Sequence, residues 1–247
     1  ERTLPHTTLS FVPDYKHFGY SNFDNAVYDS LVDIVRTRVI FAAAYVKYTL
    51  STGNFPQKSI DIYFNDDKLN INSMADIAAI LFPGRHCVRT VINPIIDPKS
   101  KSRTAFHYPW EICAIVARAE NDETLQINQL SNVNGVVVKE GKHTKHIFTH
   151  IVNGVKEKIM KVFKDKNMSF SQSYVTNNVF ILANTKIPNP GWTGQRKDVL
   201  DIDIRKLAGY TLEKKFIDGV TDKLKDLIID EIFNEKGKEL AFKDLGE

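Results

Sequence analysis

Val-Phe-Ile-Leu-Ala-Asn-Thr-Lys-Ile-Pro-Asn-Pro-Gly-Trp-Thr-Gly-Gln-Arg-Lys-Asp, residues 179–198, begins apolar and ends charged. The run Val179–Ala183 is β-branched, aromatic and aliphatic without a break, which predicts a strand. Pro188, Pro190, Gly191 and Gly194 then predict a loop held out of regular structure. At its tip an amide, Gln195, and an ammonium, Lys197, stand two positions apart. Lysine is a compact point charge that suits a terminal phosphate, and glutamine can donate to the same group. A solvated turn carrying ordinary basic residues accounts for the loop equally well, so its surroundings have to decide.

With 247 residues, 43% of them hydrophobic, the chain can bury a core of one domain or a little more. Fifteen Phe and nine Tyr argue against disorder. Cys87 and Cys113 sit in apolar runs without a Cys-x-x-Cys partner, which predicts neither a disulfide framework nor a zinc site and fits a reducing compartment. No apolar run reaches the length of a membrane span and no signal peptide opens the chain. A start at Glu1 without Met predicts a piece of something longer. The net charge of +3 is uninformative, but its distribution is not. Between Lys139 and Lys166 eight lysines face three acids, whereas from Glu213 onward ten acids face seven lysines. A basic middle beside an acidic tail points to a surface that meets polyanion, or to a solvated helix face.

Hydrophobic periodicity places the elements. Residues 7–12 read as a strand stopped by Pro13-Asp14. Ser21 or Asn22 caps a helix with Asp24 in its first turn, Val27, Leu31, Ile34 and Val35 at helical spacing, then Ala42, Ala43 and Ala44 for close packing. Residues 59–64 alternate as a strand ending in the turn Asn65-Asp66-Asp67. Ser73 caps a short helix closed by Pro83-Gly84. Residues 87–92 read as a strand and 94–103 as a loop. Trp110–Ala119 and Thr124–Val138 read as the two arms of a hairpin with residues 120–123 at its tip. From Thr144 a helix aligns Ile147, Ile151, Val155, Ile159 and Val162 opposite its lysines. From Thr211 a last amphipathic helix carries Leu212, Phe216, Val220, Leu224, Leu227 and Ile228. It is longer than a small domain needs and reads as an arm leading elsewhere.

No phosphate-binding glycine motif and no His-Glu-x-x-His occurs. His143, His146 and His150 fall at i, i+3 and i+7 on the predicted helix, but no carboxylate or thiol completes a metal set and neighbouring lysines oppose a cation. No metal site is expected. Asp201-Ile202-Asp203 has the spacing that can hold Mg²⁺, yet it alternates with Leu200, Ile202 and Ile204 as an ordinary surface strand does.

The ordered set "SIDIYFNDDKL", "YPWEICAIVA", "LSNVNGVVVKEGKHTKHIFTHIVNGV" and "VFILANTKIPNPGWTGQRKD" resembles the transducer domain of type IIA DNA topoisomerases, of the eukaryotic type more than the gyrase type. Asn132-Val133-Asn134 resembles the family's Phe-Val-Asn strand. Lys139-Glu140-Gly141-Lys142-His143 resembles its Thr-x-Gly-Gly-x-His turn, with one glycine where the family has two. Asn189–Lys197 resembles the Asn-Pro-x-Phe-x-Ser-Gln-Thr-Lys loop, with Arg196 in the place of threonine. The opening "TTLSFVPDYKHFG" resembles the strand that leaves the preceding ATPase domain.

The resemblance implies an α/β fold: a transducer-type mixed sheet with packed helices and a left-handed βαβ crossover, followed by a long C-terminal helical arm. It implies a transducer domain over residues 1–205 and an arm over 206–247 toward a DNA-cleavage core, with the N-terminal GHKL ATPase domain outside this chain. Lys197 is then expected to pair with the γ-phosphate of ATP and Gln195 to hydrogen-bond it or the attacking water, with Arg196 between them. Lys164 and Lys166, with Asp165 interrupting them, correspond to a basic cluster that touches DNA, and Lys142 and Lys145 are counted with them. No catalytic residue is expected here, since the cleavage tyrosine and metal-binding acids belong to the core. ATP and Mg²⁺ serve the full enzyme, and the fragment alone is expected to bind neither, to cleave no DNA and to hydrolyse no ATP measurably. Partners implied are double-stranded DNA, the enzyme's own ATPase domain and core, and a second copy in a homodimer, with no membrane. Departures from cellular sequences and richness in Lys, Asn and Ile point to a large DNA virus or an AT-rich protist, hence host cytoplasm or nucleus. A mismatch-repair-type ATPase and a stand-alone nucleic-acid-binding module are the alternatives.

Overall fold

Strand β8 (Val179–Thr185) is buried at all seven positions because it runs through the middle of a sheet covered on both faces. The computed structural model describes residues 7–17, 19–52, 60–92, 109–116, 128–162, 169–187, 189–203 and 212–244, with side chains through residue 235. The chain divides into two units, Glu1–Val39 and Ile40–Glu247.

In the first unit residues 7–12 form no strand. Leu9, Phe11 and Val12 are exposed, and no neighbouring backbone among the described residues pairs with them; a strand without a partner has nothing to satisfy its amides except water. Local turn bonds hold residues 13–17, 19 and 20 instead, from Tyr15 N to Pro13 O and from Tyr20 N to Tyr15 O. Helix α1 (Asn25–Thr52) starts later than expected. Asp24 is its cap, accepting from Val27 N at 3.0 Å, while Ser21 and Asn22 bond to each other. Val27 is buried but Ile34 and Val35 are exposed, so the expected stripe is only partly covered.

The second unit begins inside α1, where Ile40, Phe41, Ala43 and Ala44 are buried. A small hairpin joins β1 (Tyr63–Phe64) to β2 (Asp67–Lys68) through Asn65 and Asp66, both at positive φ. This strand is shorter than residues 59–64. Helix α2 (Met74–Leu81) follows Ser73, with Asp76 accepting from Ser73 N at 2.9 Å in capping-box fashion. The main sheet contains β3 (His86–Ile92), β4 (Trp110–Val116), β5 (Gln129–Val133), β6 (Val136–Val138) and β8, ordered β3-β4-β8-β5-β6.

This order corrects the expected hairpin between 110–119 and 124–138. β4 pairs antiparallel with β8, not with β5, and β5 lies parallel to β8. The true hairpin is β5–β6, turned by Asn134 (φ 54°) and Gly135 (φ 84°), the left-handed pair that a two-residue turn demands. Between β6 and β8 come β7 (Glu140–Gly141), α3 (Lys142–Val162) and the short α4 (Ser173–Thr176). After β8 come β9 (Gly191–Trp192), β10 (Val199–Asp201) and α5 (Lys214–Asp244). The loop expected over 94–103 lies outside the described residues.

Alternation along the strands divides the core in two. Trp110, Ile112, Ala114, Val179, Ile181 and Ala183 face α3 and α5. Cys113, Ile115, Phe180 and Leu182 face α1 and α2. α3 begins two residues before Thr144 and buries Ile147, Ile151, Val155 and Ile159, while Val162 is exposed. α5 buries Phe216, Val220, Leu224, Ile228 and Ile232 in the same cluster. The helices approach closely at Gly154, where a Cβ would lie 2.5 Å from Ile217 Cγ2. Both cysteines are free thiols. Among the described residues no helix is long and apolar enough to cross a membrane.

Candidate functional site

The loop 189–198 is more regular than its prolines and glycines predict. β9 and β10 pair antiparallel, Leu200 opposite Trp192 and Asp201 opposite Gly191, and Thr193 N donates to Val199 O at 3.1 Å. Residues 193–198 are therefore the tip of a hairpin. Gly191 is required by this pairing, since a Cβ there would lie 2.4 Å from Asp201 O. Gly194 takes φ 87° and Lys197 φ 56°, a conformation that costs a non-glycine residue about 1 kcal/mol. Gln195, Arg196 and Lys197 are all exposed, and none makes a side-chain hydrogen bond or ion pair with the described residues. The tip thus presents two cations and an amide to whatever lies opposite.

Both roots of this hairpin are fastened to the segment that leads into α3. At the entry, Asn134 Nδ2 donates to Ile187 O at 2.6 Å, and Asn134 Oδ1 accepts from Ile187 N at 2.8 Å. At the exit, Asp198 O accepts from Lys139 N at 2.8 Å and Glu140 N at 3.2 Å. β10 then runs parallel to β7, giving the small sheet β7-β10-β9. Sequence reasoning singled out Asn134 only as part of a strand. The Asn134-Gly135 turn signal was passed over when residues 124–138 were read as one arm, and nothing local marks a clamp across 53 positions.

Gly141 and His143 lock the base of this sheet. A Cβ on Gly141 would lie 2.4 Å from His143 Nδ1 and 2.9 Å from Leu200 O, so glycine alone admits both neighbours. His143 is fully buried, with Nε2 2.7 Å from Ser131 Oγ and its ring 6.2 Å from that of Trp110. Burial drives its pKa down to about 3, so the imidazole is neutral at pH 7. Its Nδ1 has no partner, which favours the tautomer with the proton on Nε2, donated to Ser131, because an orphan acceptor costs less than an orphan N–H.

The remaining candidate residues separate. Lys142 Nζ lies 2.6 Å from Asp201 Oδ1, an exposed ion pair joining the start of α3 to β10. This also accounts for Asp201 in the Asp-x-Asp pattern: it holds a lysine, and Ile202 is buried beside it. Lys145 is exposed and lines a cleft of about 320 Å³ between α3 and α4, with Gln129, Phe148, Asn153 and Gln172. Along α3, Lys158 pairs with Asp218 and Lys161 with Glu157, leaving Lys145 and Lys156 as its exposed cations without a carboxylate among the described residues. Lys164, Asp165 and Lys166 lie outside the described residues. His143, His146 and His150 do not gather: the first is packed on Ser131, and the other two meet each other.

The sequence profile of the family described as DNA gyrase B matches residues 88–245. The chain is 25% identical over 229 residues to DNA topoisomerase 2 of African swine fever virus, covering 92% of this chain and 18% of that protein. It is 26% identical to DNA topoisomerase 2 of Acanthamoeba polyphaga mimivirus, covering 96% of this chain and 16% of that protein. The chain thus spans less than a fifth of these relatives. Its fold matches the ATPase region of Saccharomyces cerevisiae topoisomerase II with a TM-score of 0.61 at 20% identity, over 90% of this chain and 48% of that one. It matches the ATPase and transducer domains of DNA topoisomerase II from Balamuthia mandrillaris with a TM-score of 0.60 at 17% identity, over 82% of this chain and 44% of that one.

Proposed function

This chain belongs to the DNA gyrase B family of type IIA topoisomerases, and from that premise we propose that it is the transducer of an ATP-dependent type II DNA topoisomerase. It would couple ATP binding and hydrolysis to gate closure and to passage of one DNA duplex through another. One observation carries the reading: an exposed Gln195–Lys197 tip stands on a hairpin whose two roots are tied to the segment that launches α3.

The tip fits a phosphate. Lys197 brings an ammonium with no carboxylate among the described residues to neutralise it, Gln195 an amide donor, and Arg196 a second cation. ATP held by an adjoining ATPase domain supplies the γ-phosphate charge. Lys197 binds that charge, Gln195 orients on the same group or on the attacking water, and loss of the charge releases the tip. Because Asn134, Asp198 and Gly141 fix the hairpin to α3, release moves a sheet and a helix rather than a loop. Two-state coupling of this kind needs several kcal/mol of differential affinity, which a desolvated lysine–phosphate pair with supporting bonds can supply. As part of the same reading, Mg²⁺ is assigned to the ATPase domain and the core.

Lys145 and Lys156 on α3 contact the DNA backbone without reading sequence, together with Lys164 and Lys166 beyond its end. The partners are double-stranded DNA, the ATPase domain, the cleavage core and a second copy. The left-handed crossover is part of this reading, as are a helical arm over residues 206–247, whose first part packs on the core through Ile232, and a fragment inactive by itself. So is an intracellular enzyme of viral or protist origin.

The test is ATP-dependent relaxation of supercoiled DNA by the longer protein, with and without Lys197→Ala. Strand passage is expected to fall by about a hundredfold, on the order of 3 kcal/mol, with DNA cleavage intact. Full activity in the variant would make the tip a surface turn and sink the assignment. No relaxation by the unmodified protein would move the chain to a different ATPase of the same fold.

A further inference from the structure

α3 carries two histidines that the proposed switch does not use. His146 and His150 are one helical turn apart, where i and i+4 side chains share a face. Their rings meet edge to face, with centroids 4.5 Å apart and planes at 82°. Their Nε2 atoms are 3.2 Å apart. Both rings are half-buried at the edge of the helix that packs against α5.

That separation is a chelate distance. An ion about 2.0–2.1 Å from each nitrogen, the usual zinc–imidazole length, would subtend an angle of roughly 100° between them, close to tetrahedral. Two imidazoles at i and i+4 on a helix are also the arrangement by which His-x-x-x-His segments hold zinc. We propose that His146 and His150 form a surface chelate for one borderline divalent transition cation, Zn²⁺ in the first instance and Ni²⁺ or Cu²⁺ by the same chemistry. Among the described residues no third His, Cys, Asp or Glu stands with them.

The proton balance is simple. In the metal-free pair one Nε2–H donates to the other Nε2. When the cation binds, the donating ring moves its proton to Nδ1, so both Nε2 lone pairs face the ion and no net proton leaves. The wide χ2 range of histidine allows each ring to swing from its neighbour toward a shared point. The charge environment is milder than the sequence implies. Lys142 is neutralised by Asp201, and Lys145 turns toward the α3–α4 cleft. Burial, and then the neighbouring His150, hold His146 below the ordinary imidazole range, which keeps its ligating form available at neutral pH.

Zn²⁺ titrated into the metal-free 247-residue chain tests this by calorimetry, with circular dichroism checking that each variant is folded. One equivalent is expected to bind with a dissociation constant on the order of micromolar. His146→Gln and His150→Gln are each expected to weaken binding at least about tenfold, whereas His86→Gln, on β3, leaves it unchanged. Cu²⁺ bound to the unmodified chain should show hyperfine coupling to two imidazole nitrogens by electron paramagnetic resonance, and to one in either variant. Absence of Zn²⁺ binding, or equal binding by the His146→Gln/His150→Gln double variant, overturns the proposal. Neither result bears on the Lys197 switch, which is read by DNA relaxation.

Discussion

His143 ties the chemistry of the site to its stability. Its folded pKa is about 3 against an ordinary 6.5, depressed because burial disfavours the imidazolium. A depressed group contributes stability that is complete above 6.5 and drains away as pH falls toward the folded value. Between pH 7 and pH 5 the unfolded chain takes up about three quarters of a proton that the folded chain refuses, a loss of about 2 kcal/mol. Urea unfolding at the two pH values should show this loss in the native chain. In His143→Gln the slope should be flatter by that amount, although the variant is less stable at pH 7. His146, also depressed by burial, contributes with the same sign to both proteins and cancels in the comparison. Parallel pH profiles would mean that the imidazole is hydrated and that its bond to Ser131 is not what seats α3. At this scale the sequence was informative where a residue type has a single use. The Gly141-x-His143 spacing was legible as a motif, but the reason for the glycine, a 2.4 Å approach to the imidazole, was not, because it depends on Leu200 arriving from the other side.

The hairpin β5–β6 is tied to the loop 189–198 through one side chain. Asn134 combines a left-handed backbone with two bonds to Ile187. Asn134→Ala loses both bonds and keeps the strained φ, an expected cost of about 2–4 kcal/mol in unfolding free energy. Asn134→Gly relieves the backbone and loses only the clamp, so it should cost about 1 kcal/mol less. Hydrogen exchange at the Ile187 amide should quicken in both variants. Unchanged protection there would show that the loop is held from Asp198 alone. The same element explains what sequence reading missed. Asn134-Gly135 between valines was a strong turn signal, yet residues 110–138 were read as one long hairpin because both arms are apolar and a charged stretch separates them. Strand order is a nonlocal property: β8 inserts between β4 and β5 after a helix and some 45 residues, and periodicity carries no trace of it. The loop's own pairing was hidden for a related reason, since two-residue strands such as β9 have too few positions to show a period.

At the scale of the whole molecule the sheet is sandwiched between two helical layers, and the layer made by α3 and α5 was the more legible. Apolar positions every three to four residues announced both helices, and the apolar run Val179–Ala183 announced a strand, whereas the burial of β4 and β8 on both faces emerges only from the structure. What periodicity did not reveal is how far α5 serves as core before it serves as anything else. Phe216, Val220, Leu224, Ile228 and Ile232 are each at most 3% exposed, whereas Phe233 is 58% exposed. Burying such side chains is worth about 1.5–3 kcal/mol each, so the five together match the entire stability of an ordinary domain, about 5–15 kcal/mol. The last contacts among the described side chains of α5 are polar: Asn178 Nδ2 donates to Glu231 at 3.2 Å, and Tyr174 donates its hydroxyl to Glu235. A chain ended after Glu235 keeps all of these and should unfold within a few degrees of the full chain, since surface losses stay near 0.5 kcal/mol. A chain ended after Leu212 loses the five apolar side chains, exposes α3 at Gly154, and should give no cooperative thermal transition. If the shorter chain melts normally, α5 is an appendage from its first turn and residues 206–247 are an arm throughout. If the chain ended after Glu235 fails to melt cooperatively, the part beyond Glu235 contributes to the core.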